Sequence, residues 1–440
     1  MSLELARRAL DRARGVVSPS LRGGPLRRAG VLLTGTTALG QILTLTAAPV
    51  ITRIYDPSSF AAFAVYASSV VVLVVLCPLR YDLGVSVARE DREAAGLLGV
   101  SIAASWAMSL VLLAVLILSS VLGVRLRLLS DLGGGKWLLP LGAALGGTAQ
   151  ALTAWALRGR RYRSVGAARI SQAAGQVGVQ LGGAAAGGAS IWLFLGDLVG
   201  RYAAIHPLLA VLRRDEAIRS ARATRGWLLR HAVEHRRYPA RALPAALLNS
   251  LGLQLPVLLL ASLLHAPAVG AFALTQRVLA APIALIGGVA GQIFVAEASS
   301  AAFDRERRVY DLFRSMSVRF FLAGLPAAVL LWSGGESIFV TVFGTEWAMA
   351  GRFASILAPV FLLQLVVTPV AQVFNLLGRL GHQLAWDVLR IVAVGGVILV
   401  AARHGDIEGV VRAFAACMVV LYAGLFVAYF RVSRRCSADA

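Results

Sequence analysis

The chain has 440 residues, 58% of them apolar and only 15% charged, with a mean hydropathy of +0.75. A soluble protein of that composition would have too little polar side chain to cover its surface, which excludes ordinary soluble and disordered classes. The formal charge of +21 does not indicate nucleic acid here, because the basic residues lie between long uncharged runs, where they hold one face of a membrane protein.

Residues 1–28 form a basic segment. Leu3, Ala6, Leu10, Ala13 and Val17 fall on one helical face and Arg7, Arg8, Arg12 and Arg14 largely elsewhere, a pattern shared by a short interfacial helix and a basic tail. The first uncharged run, 29–52, follows Arg22, Arg27 and Arg28. About 20 helical residues cross a bilayer core, so this run spans it, and it is too long for the apolar region of a cleaved signal. Runs of the same kind recur at 60–79, 95–120, 137–157, 169–188, 191–211, 242–263, 266–290, 318–335, 353–376, 384–402 and 409–430. The expected fold is all-α and polytopic, with twelve transmembrane helices. The stretch 170–212 holds only Asp197 and Arg201 as charges and is too long for one helix, and LGGAAAGGAS at 181–190 supplies the turn that divides it.

Charge sorting supports the count. With the N-terminus inside, 34 of the 43 Arg and Lys residues fall on the cytoplasmic side and seven on the opposite side. Both termini are therefore expected in the cytoplasm. The basic loop 212–241 divides a six-helix lobe at 29–211 from a second at 242–430, and 431–440 forms a cytoplasmic tail. A parallel repeat is visible: Ala38-Leu39-Gly40 aligns with Ser250-Leu251-Gly252, and Phe63-Ala64 with Phe272-Ala273. An even number of spans per half relates such repeats by an axis along the membrane normal, with a substrate site between them.

Charges inside spans are candidate functional groups. Arg277, beside Gln276 in the eighth span, is the sharpest: it could meet an anionic substrate in a watered cavity or serve as a structural, snorkelling arginine. Arg201 has Asp197 four residues before it on the same helix and could be neutralised by it. Arg53, Arg80 and Asp82 lie at span ends, and Asp387 and Arg390 near the inner end of the eleventh. Gln41, Gln292, Gln364 and Gln372 are hydrogen-bonding groups inside spans that need interior partners. Pro49, Pro140, Pro256, Pro282, Pro359 and Pro369 recur near span middles or ends, where proline bends helices. Cys77, Cys417 and Cys436 make no ligand cluster. No nucleotide-binding, metallohydrolase or paired-carboxylate motif occurs, and the larger outer loops, 121–136 and 336–352, are short. An ion or substrate gradient would then supply the energy, with no cofactor.

APVITRIYDPSSFAAFAVYAS followed by CPLRYDLGVSVAREDREAAGLLGVS resembles the amino-terminal signature of the bacterial oligosaccharide flippases, relatives of the MATE-type multidrug exporters. Pro49, Thr52, Arg53, Tyr55, Pro57, Phe60 and Phe63 carry the match, as do Leu79-Arg80-Tyr81-Asp82-Leu83, with Asp82 where the family more often has Glu. Residues 249–299 fit as well, so the resemblance runs over about 30–430. It implies a MATE-like fold in the bacterial cytoplasmic membrane, with Tyr55, Tyr81 and Asp82 around a gate. It also implies a polyprenyl-diphosphate-linked oligosaccharide as substrate, for O-antigen, capsule or exopolysaccharide, with membrane lipids and polymerase or glycosyltransferase machinery as partners and no nucleic acid. A peptidoglycan-precursor flippase and a small-molecule antiporter are the alternatives within that fold.

Overall fold

The computed structural model describes residues 25–123, 132–213, 215–216, 218, 224–299, 305–371, 380–404 and 406–438. The amphipathic helix expected at 3–17, Gln372, and the side chains of Gln292 and Cys436 lie outside what is described. The described residues are helical throughout, without a strand. In the first half run α1 (Pro25–Ile54), α2 (Pro57–Leu76), the short α3 (Tyr81–Val87), α4 (Asp91–Val121), α5 (Leu139–Arg158), α6 (Tyr162–Gly182) and α7 (Ile191–Leu212). The connection holds α8 (Arg225–Glu234) and a π-turn, Tyr238–Ala242. The second half contains α9 (Leu243–Leu263), α10 (Ala266–Ser299), α11 (Arg305–Phe343), α12 (Ala348–Val367), α13 (Leu380–Ala401) and α14 (Ile407–Ala438).

Ten of these helices are long and apolar enough to cross a membrane. Of the twelve expected spans, those corresponding to α5 and α6 fall short, and their surroundings explain why. Fourteen of the 20 residues of α5 are buried against its neighbours, so its Gly, Ala and Thr residues need not be lipophilic. α6 carries Arg163, Arg169, Gln172, Gln176 and Gln180, and lines polar cavities instead of lipid alone. α12, the fourth long helix of the second half as α5 is of the first, is likewise heavily buried.

Boundaries differ from expectation at three places. The outer loop expected at 336–352 is mostly helix: α11 continues to Phe343, bending at Gly334 (φ −133°, ψ 15°), and the turn is confined to 344–347. Gly344 has φ 109°, which a β-carbon would disfavour. The loop 213–241 contains α8, packed on α4. Pro140 lies in the first turn of α5, where no helical hydrogen bond is lost, so it is not a kink; Pro369 sits in a 3₁₀ turn. Pro49, Pro256, Pro282 and Pro359 do lie inside helices, as do Pro207 and Pro326.

The halves meet along α2, which packs on both α9 and α10, while α10 also touches α1. Exchanging halves maps this pattern onto itself, as the repeat in the sequence leads one to expect. Two ends of the bundle are then distinct. At the far end, Thr52 accepts from Trp347 Nε1 at 2.9 Å through its carbonyl, and its hydroxyl donates to Phe343 O at 3.3 Å. Trp347 is fully buried and meets Phe60 edge-on at 5.0 Å. Tyr55 Oη donates to Gln180 O at 2.8 Å, and burial pushes this hydroxyl's pKa up. The turn into α2 is set by Asp56, which caps Ser59 N at 3.2 Å ahead of Pro57 at the first helical position. Burial alone would raise the Asp56 pKa, but hydrogen bonds from Ser59 and Ser58 outweigh it and hold this carboxyl low.

At the near end, Tyr81 Oη donates to Ala232 O at 3.0 Å, and Arg158 bonds Asp91 at 2.9 Å and the Ala88 carbonyl. The chain reverses between α2 and α3 through two left-handed residues, Leu79 (φ 49°) and Arg80 (φ 61°).

The far-end closure has a direct test. A β-carbon at Gly270 would fall on the Pro57 carbonyl, whereas one at Gly178 would meet nothing within 4 Å. Gly270→Ala should lower the melting temperature of the purified protein by several degrees. Gly178→Ala should leave it unchanged or raised, since alanine is about 1 kcal/mol better than glycine in a helix.

Candidate functional site

Polar groups inside a bilayer must find partners or water. The polar residues of the spans gather at mid-depth and toward the near end. In the first half, α3, α5, α6 and α7 border an open cleft lined in part by Asp82, Gln150, Thr153, Arg169, Gln172 and Arg201. A second cleft of about 470 Å³ lies between α1 and α6 and shares Arg169 and Gln172 with the first, adding Thr37, Gln41, Thr44 and Gln176. The two form one groove along α6. In the second half a smaller cleft is lined by Gln276, Gln364, Arg390 and Tyr422 among apolar residues of α9, α10, α12 and α14.

Three arginines near these clefts have partners. Arg201 clamps Asp197 with two bonds, Nε at 2.6 Å and a terminal nitrogen at 3.1 Å, one turn apart on α7. Arg390 lies 3.1 Å from Asp387 and donates to Asn249 O at 3.2 Å and Asn249 Oδ1 at 3.3 Å; its Nε is buried without a partner among the described residues. Asp82, almost fully buried, accepts from Gln150 Nε2 at 2.7 Å and sits 3.7 Å from Arg80. Two arginines are different. Arg277 makes no hydrogen bond or ion pair among the described residues; Asp197 is the acid whose charge acts on it, across the boundary between α7 and α10. Arg169 is exposed into the groove and is likewise unpaired there. Tyr66, buried on α2 with its hydroxyl unbonded among the described residues, feels the charges of Asp197 and Arg201.

The residues singled out from sequence thus divide. Gln41, Arg201 and Asp82 line the first-half clefts, and Gln276 and Arg390 the second-half one, with Asp387 behind Arg390. Arg277 and Asp197 lie at the boundary between halves. Arg53 is exposed at the far end and Arg80 sits in the near-end turn; neither lines a described cavity. Tyr55 belongs to the far-end closure and Tyr81 to the near-end fastening.

Sequence reasoning missed Arg169, Gln172 and Gln176. Arg169 stands at the very edge of the run expected at 169–188, next to a basic connection, yet α6 begins at Tyr162 and carries it two turns into the helix. The signal was present: 169, 172 and 176 are spaced as one helical face. The repeat also finds a structural expression. Gly40 lies against the Arg169 backbone and Gly252 beneath the Arg390 guanidinium, so the aligned glycines each face an arginine on the fifth long helix of their own half.

Residues 50–351 match the model of a family described as polysaccharide biosynthesis protein. The teichuronic acid biosynthesis protein TuaB of Bacillus subtilis (strain 168) is 24% identical over 183 residues, 42% of this chain and 38% of that relative, so the match spans little more than a third of its length. Among solved structures, the inward-facing conformation of a multidrug resistance MATE family transporter of the MOP superfamily superimposes with a TM-score of 0.71 at 13% identity, covering 90% of this chain and 95% of that one. A MATE crystal structure in complex with MaL6 gives 0.64 at 14% identity, covering 95% and 98%. The outward-facing conformation of a MATE family transporter gives 0.54 at 14%, covering 95% and 97%.

The Asp197–Arg201 pair predicts an asymmetry. Removing one member of a buried ion pair leaves the other charge stranded, at a cost of about 3–5 kcal/mol, whereas removing both is far milder. Arg201→Ala should therefore reduce membrane abundance and melting temperature sharply, and Asp197→Ala/Arg201→Ala should recover most of both.

Proposed function

The chain belongs to the polysaccharide biosynthesis protein family and has a MATE-like fold, and from that premise we propose that it flips polyprenyl-diphosphate-linked oligosaccharide repeat units across the bacterial cytoplasmic membrane by alternating access. All twelve long helices span the membrane in this reading, six in each lobe, with α5 and α6 shielded from lipid by their neighbours. The near end, where the basic segments cluster, faces the cytoplasm together with both termini.

The observation that supports the proposal is a pair of polar clefts along α6 that hold Arg169, with Arg277 at the boundary between the halves, neither arginine having an ion-pair partner among the described residues; in this reading the Trp347–Thr52 contact closes the far end and the clefts are reached from the near end. A diphosphate headgroup is the natural complement of unpaired guanidinium groups. The glutamines along α6 and α1 suit sugar hydroxyls, and the polyprenyl chain can remain in lipid. The relative's name, which refers to teichuronic acid biosynthesis, agrees with a polysaccharide pathway. Energy for the cycle comes from an ion or substrate gradient, and the polymerase and glycosyltransferases that use or make the repeat unit are the expected neighbours.

A deletion strain carrying each variant provides the test, with membrane abundance, surface polysaccharide and accumulated lipid-linked oligosaccharide measured together. Arg277→Ala should reach near-normal abundance yet lose most polymer export and accumulate lipid-linked repeat units. Arg277→Lys should recover only part, because lysine keeps the charge without the bidentate fork. Arg169→Ala should show the same split between abundance and export. Wild-type export from well-expressed Arg277→Ala and Arg169→Ala would remove both from the substrate path. Normal polysaccharide in the deletion strain itself would contradict the proposed substrate class.

A further inference from the structure

The segment between α7 and α9 carries a surface that transport through the interior does not use. α8 lies beside the start of α4 and runs antiparallel to it. Leu228 stands against Gly99, His231 against Gly96, and His235 Nε2 bonds Glu93 at 2.8 Å. The rings of Trp227, His231, His235 and Tyr238 follow one another along this contact, and Tyr81 fastens the Ala232 carbonyl from α3.

These contacts fix the face that points away. At 100° per residue, Trp227, Leu228, His231, Ala232 and His235 share the packed side. Leu229 and Val233, one turn apart, occupy the opposite side and are 57% and 65% exposed. Arg225, Arg230, Arg236 and Arg237 are exposed around that pair, Arg241 follows in the π-turn, and Glu234 is the single acid from Thr224 to Ala242.

Depth decides what meets this face. The uncharged stretch of α4 starts at Ala94, and Gly99 lies six residues past Glu93, roughly 9 Å along the helix. α8 therefore reaches from the charged margin of the span into the layer where headgroups give way to acyl chains. An apolar pair ringed by arginines at that level is complementary to an anionic lipid surface. An acidic protein partner would account for the arginines but not for a bare Leu229–Val233 pair at span depth.

We propose that α8, standing along the start of α4, docks on anionic phospholipid of the near-end leaflet, with Leu229 and Val233 facing the acyl boundary and Arg230, Arg236 and Arg237 on headgroup phosphates. Because α8 joins the two halves and is fastened to α4 and α3, this contact anchors the first half while the second moves against it.

The test uses the full chain with Cys77, Cys417 and Cys436 replaced by alanine and Val233→Cys carrying an environment-sensitive fluorophore. The protein is placed in nanodiscs of phosphatidylcholine containing phosphatidylglycerol, with either lipid brominated on its acyl chains. Stronger quenching by brominated phosphatidylglycerol than by brominated phosphatidylcholine is expected. Arg230→Gln/Arg236→Gln/Arg237→Gln should reduce that preference by about fivefold per arginine, on the order of 100-fold in all. These side chains are exposed and only Arg237 makes a described contact, over the neighbouring Tyr238 ring at 5.2 Å, so melting temperature should change little. No quenching by either lipid, equal quenching by both, or an undiminished preference in the triple variant would each overturn the proposal.

Discussion

A tryptophan indole and a backbone carbonyl 295 positions earlier in the chain hold the halves of this protein together at one end. Trp347 supplies the donor at the turn between α11 and α12, and Thr52 the acceptor near the end of α1. The bond is worth about 0.5–1.5 kcal/mol net, a modest amount. Its consequence is larger, because Phe60 packs on the same indole, Gly270 admits the Pro57 carbonyl, and Tyr55 reaches α6 beside them. In the proposed reading these contacts close that end, and the polar surfaces below it meet water from the other side.

The interior follows from the bilayer's demand that buried polar groups be partnered. Asp197 and Arg201 satisfy each other, as do Asp387, Arg390 and Asn249, and Gln150 supports Asp82. Each acid–arginine pair neutralises itself locally, so among the described residues Arg169 carries the uncompensated charge of the first-half clefts, while Arg277 lies at the boundary between the halves and lines none of the three clefts. The repeat gives this arrangement its shape: a glycine on the first long helix of each half faces an arginine on the fifth, and α5 and α12 form the buried cores behind them.

Much of this was legible in the sequence, and the failures have physical causes. Uncharged runs of about 20 residues located the long helices because lipid requires them. The same criterion weakens for α5, where burial by protein replaces lipid, and for α6, where glutamines line a cleft. Arg277 stood out because a lone charge in a span is costly. Arg169 did not, because an arginine near a basic loop reads as part of it until the start of the helix is known. The far-end clasp was invisible, since it joins a backbone carbonyl to Trp347, a residue that pattern placed in an outer loop. The helix within 213–241 was hidden by its arginines, which mask the apolar spacing of Trp227, Leu228 and Ala232.

The central claim is that the groove along α6 opens at the near end while the Trp347–Thr52 contact seals the far end. Accessibility of a single cysteine at Gln172, in a protein otherwise free of cysteine, tests it most directly. A membrane-impermeant thiol reagent should label Gln172→Cys in inverted vesicles, where the cytoplasmic face is exposed, and leave it largely unlabelled in intact spheroplasts. Adding Trp347→Ala should raise labelling from the outer side. Ready labelling from the outer side with Trp347 intact, or none in inverted vesicles, would contradict the account.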